Sequence, residues 1–193
     1  MKKSICSFLM PALMLFLISC GTNSRDDSKD IAEEQNEEKF EGDAEDDADF
    51  AVEAANGGMM EVQLGTLAAT KALSPQVKQF GQMMVDDHSK ANNELKGLAG
   101  QKNITLPTTI DDAHQRKYDD LQQKSGNDFD KDYMDLMVKD HKEDIDKFEK
   151  EAQDGKDTDL KAWASSAVPV LRHHLEEAQR LQDALKNNNN KAR

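Results

Sequence analysis

The chain has 193 residues, of which 33% are charged, a formal net charge of −13 and two cysteines. That acidity excludes nucleic acid or an anionic lipid surface as the natural partner, because binding phosphates requires basic surface. Cys6 falls within the leader and Cys20 at its end, so the folded part has no thiol for a disulfide or a thiolate metal site and depends on a packed core.

In chain order, Lys2 and Lys3 make a basic start, and an apolar run from Ile5 to Ile18 follows. At about 14 residues the run is shorter than the roughly 20 that span a bilayer, so residues 1–19 are expected to be a signal peptide. The sequence Leu17-Ile18-Ser19-Cys20-Gly21 has the form of a bacterial lipoprotein signal, with Cys20 as the lipidated residue. Gly21, where an acidic residue would retain the protein at the inner membrane, points to the outer membrane, on its periplasmic or outer face. The expected membrane partner is therefore reached through the lipid on Cys20. Residues 20–47 carry twelve acidic side chains against Arg25, Lys29 and Lys39, with Phe40 as the only aromatic. Such a segment buries too little apolar surface to order itself, so a disordered acidic tether is expected.

From Asp49 the apolar period is helical throughout, which predicts an all-α domain over 48–187. The first helix spans about 46–72 with stripe Phe50, Ala54, Gly57, Glu61, Leu64 and Ala68. Ser74 and Pro75 start the second, which runs to about 101 with stripe Val77, Gly81, Met84, His88, Ala91, Leu95 and Leu98. After Pro107, Thr108 or Thr109 caps a shorter piece to about 124. The third long helix, about 127–154, has stripe Met134, Met137, His141, Ile145, Phe148 and Ala152. Gly155 ends it, and Asp157 or Thr158 starts the fourth, which runs to about 186 with Pro169 inside. Residues 188–193 are expected to be a disordered tail. Two helical hairpins joined by a crossover that contains its own short helix have the arrangement of a ferritin-like four-helix bundle.

The pattern Phe80-x-x-x-Met84-Val85-x-Asp87-His88 returns 53 positions later as Tyr133-x-x-x-Met137-Val138-x-Asp140-His141. It places a histidine in each apolar stripe, where a polar ring is costly unless something binds it. Glu61 and His88 lie at matching offsets from the first hairpin turn, and His141 and His174 at matching offsets from the second. Each long helix thus offers one metal-capable side chain to the seam at about one height. Asp87 and Asp140 point about 100° away from their histidines and are expected to be solvated or paired with basic residues. His114, in a polar stretch of the crossover, is expected at the surface, and the methionines at helical spacing are expected to fill the core.

The runs Gly57-Gly58-Met59-Met60-Glu61-Val62, Met84-Val85-x-Asp87-His88-Ser89-Lys90-Ala91-Asn92, Met137-Val138-x-Asp140-His141 and Pro169-x-Leu171-Arg172-x-His174-Leu175 resemble the ferritin-like family catalogued as domain of unknown function 4142. The resemblance covers about 49–186. It implies an exported bacterial four-helix protein of the kind described as outer-membrane proteins, and it implies no established activity. Ferritin-like di-iron proteins use Glu-x-x-His on two helices. Val85 and Val138 stand three residues before His88 and His141, so ferroxidase chemistry is not expected.

Two readings follow. In one, an envelope-anchored lipoprotein acts as a binding or structural module in stress tolerance, and Glu61 with the histidines forms a buried polar network without metal. In the other, Glu61, His88, His141 and His174 hold one Fe, Mn, Cu or Zn ion that handles oxidants, with His173 and Glu177 as substitutes or supports for His174. No nucleophile–base pair or phosphate-cradling loop is present to settle whether the chain is an enzyme.

Overall fold

The computed structural model describes residues 27–191. The expected signal peptide and the expected lipidation site, Cys20, lie outside them. The described chain is all-helical: α1 (Ser28–Glu37), α2 (Asp43–Lys71), α3 (Pro75–Lys102), α4 (Asp112–Gln122), α5 (Gly126–Asp154) and α6 (Thr158–Lys191). None of these helices is long and apolar enough to cross a membrane. The four long helices form a helical bundle in which α2 packs on α3 and α5 on α6, with α2 also touching α5 and α3 touching α6.

Two buried aspartates fix the helix directions. Near the start of α5, Asp130 accepts from the backbone N–H groups of Leu73 (2.9 Å) and Ser74 (2.7 Å), in the turn between α2 and α3. Near the start of α2, Asp47 accepts from the N–H groups of Lys156 (3.0 Å) and Asp157 (2.6 Å), in the turn between α5 and α6. The start of each hairpin therefore caps the turn of the other, and α3 and α5 run in the same direction. Lys102, at the end of α3, pairs with Asp157 (2.6 Å) and Asp159 (2.8 Å) and closes that end. The matching patterns lie side by side on these parallel helices: the rings of Phe80 and Tyr133 are 6.1 Å apart, and those of His88 and His141 are 5.8 Å apart.

The α2–α3 pair crosses where Gly65 meets Gly81. A Cβ on either glycine would lie 2.7 Å from the other's carbonyl oxygen, so only glycine permits this approach. Met60, Leu64, Met84, Tyr133, Met134 and Met137 fill the main core, where methionine adapts to irregular gaps. A second cluster around Leu95, Leu160 and Trp163 closes the opposite end.

Three expectations are corrected. Residues 27–47 are largely helical where a disordered tether is expected. Asp27 caps α1 through the N–H groups of Lys29 and Asp30, Ala32 is buried, and the fully buried Asn36 exchanges two 2.8 Å hydrogen bonds with the backbone of Thr105. Lys29 bridges Glu33 (3.0 Å) and Glu53 (2.6 Å). Composition misses such long-range polar docking. The cap of α4 is Asp111, which accepts from the His114 N–H (2.7 Å), and neither Thr108 nor Thr109 takes that role. The Asn56 side chain pins Asp111 to α2 through both its amide atoms. Finally, α6 continues to Lys191, into the expected tail, because no glycine or proline follows Leu185 to stop it.

At the α5–α6 turn, buried Glu151 has no hydrogen-bond partner for Oε1. Burial and the neighbouring Asp47 push its carboxyl up to about 7. Unfolding returns Glu151 to its ordinary value near 4.5, so between those values the folded chain holds more protons than the unfolded one. Stability should therefore fall as pH rises from about 4.5 to about 7, with an upper limit of roughly 3 kcal/mol from this group. Urea titrations from pH 4 to 8 should show that Glu151→Gln flattens the slope. An unchanged slope would mean that Glu151 titrates normally.

Candidate metal centre

Glu61, His88, His141 and His174 meet in the middle of the bundle, one from each long helix, and all four are buried. Each helix delivers its residue through the apolar stripe around it: Leu64 and Met60 beside Glu61, Met84 below His88, Met137 and Ile145 flanking His141, and Leu171 and Ala178 flanking His174. One ring nitrogen from each of the three histidines lies within 4.8 Å of the other two.

Hydrogen-bond partners determine the tautomers. His141 Nδ1 lies 3.0 Å from the Met137 carbonyl, which can only accept, so Nδ1 carries the hydrogen and Nε2 a lone pair. His174 Nε2 donates to Asp87 Oδ2 at 2.9 Å, which leaves the lone pair on Nδ1. The two lone pairs therefore face each other, with His141 Nε2 and His174 Nδ1 only 3.3 Å apart. Glu61 Oε1 stands 3.5 Å from His141 Nε2 and has no hydrogen-bond partner, while Glu61 Oε2 is 2.8 Å from His88 Nδ1. His88 Nε2 is also buried and unpartnered. A network satisfied from within would not leave the lone pairs of His141 and His174 facing each other.

The spacing suits an ion. Bonds of about 2.1 Å in a tetrahedral site put ligand atoms roughly 3.4 Å apart, and the two separations at His141 Nε2 are 3.3 and 3.5 Å. The protonation states suit it equally. Burial pushes His88 down to about 4. Burial, with the neighbouring rings, holds His141 well below its usual value, and burial lowers His174 against the opposing pull of Asp87. Neutral imidazole is the ligand form. Burial and the charge of Asp140 hold Glu61 well above the usual carboxylate range, which favours its neutral form until a cation is beside it. The three histidines, and the adjoining acidic group of Glu61, Asp140 and Asp144, could each hold a metal ion.

The substitutes do not join. His173 is exposed, and Glu177 pairs with Arg180 at 2.7 Å. Two aspartates behave differently from each other. Asp140 pairs with Lys117 of α4 (3.1 Å), as a basic partner predicts, whereas Asp87 orients His174 from the adjacent helix. His114 is half-buried, 3.5 Å from Asp111, and not at the surface as expected. Asp144 is the residue that sequence reasoning missed. Its signal was the His141-x-x-Asp144 spacing, which puts both side chains on one face of α5.

A cavity of about 290 Å³ adjoins the centre and is lined in part by Glu61, His88, His174, Asp87 and Asp144. Exposed Lys90, Glu94 and Val170 stand at its outer rim.

A family model described as "Domain of unknown function (DUF4142)" matches residues 32–181, a span that takes in most of α1, all of α2 to α5, and α6 as far as Leu181. No curated protein and no solved structure matches the chain.

Proposed function

The chain belongs to the DUF4142 family, whose description names no activity, and from that premise we propose that the domain binds a single transition-metal ion through Glu61, His88, His141 and His174. The observation that carries this reading is the pair of lone pairs on His141 Nε2 and His174 Nδ1, locked toward one another 3.3 Å apart by Met137 and Asp87. Three imidazoles and one carboxylate form a ligand set for Fe, Mn, Zn or Cu. The hydrogen bond from His174 to Asp87 is the outer contact that a metal-bound histidine ordinarily makes, and it fixes which nitrogen faces the ion.

The domain reads as a ferritin-like bundle with a mononuclear centre in place of a di-iron one. Supporting this are the two hairpins, the crossover through α4 and the parallel course of α3 and α5. Anchored by lipid at Cys20 in the outer membrane, such a centre would meet oxidants in the envelope, and the adjoining cavity gives a small molecule a route toward the ion. When bound, the ion would supply Lewis-acid or one-electron chemistry. The chain's own part is to orient His174 through Asp87, to hold His141 through the Met137 carbonyl, and to keep Glu61 in a dry position beside both.

The test is elemental analysis of the full-length chain, expressed in metal-replete medium and purified without a histidine tag. About one equivalent of a transition metal per chain is expected. A metal-free protein that also takes up none of the four ions on dialysis would reject the centre. The binding or structural module would then be the reading that remains.

A further inference from the structure

The cavity beside the centre is built in layers that three helices repeat. On α2, Phe50 is followed by Ala54 and Gly57 and then Glu61; on α6, Trp163 is followed by Ala167 and then His174; on α5, Phe148 lies one turn beyond Asp144. The aromatic layer is a corner and not a stack. Phe50, Phe148 and Trp163 have ring centroids 5.1 to 6.1 Å apart and mutual inclinations of 46° to 77°, and all three line the cavity. The small-residue layer leaves the space open: a Cβ on Gly57 would meet nothing within 4 Å. At about 290 Å³ the cavity holds the volume of roughly ten waters, which suits a small ligand.

Charge selects the ligand's sign. Five acidic side chains line the cavity, from Glu53, Asp87, Glu94, Asp144 and Glu61, the last held toward its neutral form, against Lys90 and Lys147. Lys147 is held by Glu53 at 3.0 Å, and Lys90 lies nearest Glu94. Asp144 has no hydrogen-bond or ion-pair partner among the described residues, and burial with the nearby Glu61 and Asp140 holds its carboxyl well above the usual range, so a cation is the partner that would favour its charged form. One helical turn separates it from Phe148, so the two residues share one face of α5 with Cβ atoms about 6 Å apart. An anion would be repelled here, whereas a cation with an apolar surface meets aromatic rings and acidic groups in one cavity.

We propose that this cavity binds a small alkylammonium ion, its cationic head seated between the Phe50/Phe148/Trp163 corner and Asp144. The inference uses the cavity wall and does not need the metal ion. Its test is therefore run on chelator-treated full-length chain, and its outcome is separate from the elemental analysis.

The probes are choline and its uncharged isostere 3,3-dimethylbutan-1-ol, followed by calorimetry and by the fluorescence of Trp163, the only tryptophan in the chain. Choline is expected to bind at least about tenfold more tightly than the isostere. Asp144→Asn should reduce that preference severalfold, leaving the share due to the aromatic rings, and leave isostere binding unchanged. Ala167→Leu should weaken both ligands about tenfold or more by filling the cavity, and Gly57→Leu should do the same from the opposite wall if the first variant fails to fold. Equal affinity of the wild type for the two probes overturns the proposal, as does the absence of both heat and fluorescence change. Undiminished choline binding by a folded cavity-filling variant would also overturn it.

Discussion

Replacing His141 by alanine should lower the affinity of the chain for transition metal at least about 100-fold, at or beyond the upper end of losses measured for groups that only support a ligand. His141 sits at the hub of the centre, with Nε2 3.3 Å from His174 and 3.5 Å from Glu61, and it is fully buried. In the metal-free protein the same change leaves a void and strips the Met137 carbonyl of its side-chain donor, which together should cost about 2–4 kcal/mol. The two effects separate in thermal unfolding. Added metal should raise the midpoint of the wild type, because it binds only the folded chain, and should not raise that of His141→Ala. Equal rises would place the ion elsewhere. His88→Leu makes a useful partner: it removes a ligand and also the 2.8 Å contact of His88 Nδ1 with buried Glu61 Oε2, so metal-free stability should fall by about 1–3 kcal/mol. Because burial keeps Glu61 toward its protonated form, capture of the ion must displace that proton. Metal affinity should therefore rise with pH, and calorimetry in two buffers should register a proton released on binding.

Asp130→Ala should destabilise the fold by about 2–4 kcal/mol. The Asp130 carboxylate is buried and accepts from two consecutive backbone N–H groups, Leu73 and Ser74, in a turn where the Ser74 side chain makes no capping hydrogen bond of its own. Alanine leaves both donors without a partner, and bonds to a charged acceptor are the strong kind. Asp47→Ala should do the same at the opposite end, where Asp47 serves Lys156 and Asp157. The two sites are separated by most of the length of α2, about 35–40 Å, so their losses should add. Urea denaturation of the single and double variants measures this directly. Losses below about 0.5 kcal/mol would mean that water serves these turns as well as the aspartates do.

The four long helices were legible because their apolar stripes repeat every three or four residues and their turns carry Ser74-Pro75 and Gly155. The meeting of Glu61, His88, His141 and His174 was legible for a related reason: distance from a hairpin turn is a depth coordinate, and the four residues share it. What the chain hid depends on contacts across sequence. α1 has almost no apolar period, and its order rests on Asn36 gripping the backbone of Thr105, 69 positions away. Asp87 points away from its own histidine, yet α3 lies beside α6, so it reaches His174 instead. Spacing placed His174 in the apolar stripe and His173 beside it, and α6 turns the first inward and the second outward. Asp144 sits in plain view three residues after His141, but a search for carboxylates placed before each histidine passes over it.

The bare contact of Gly65 with Gly81 lies one turn from Glu61 and two turns from His88. Any larger residue there acts as a wedge at a fulcrum and shifts the spacing of ligands it never touches. If the centre holds an ion as proposed, a random screen for lost metal would return these two glycines beside the proposed ligands, and only the glycine variants would regain the ion when a second mutation restores the helix spacing.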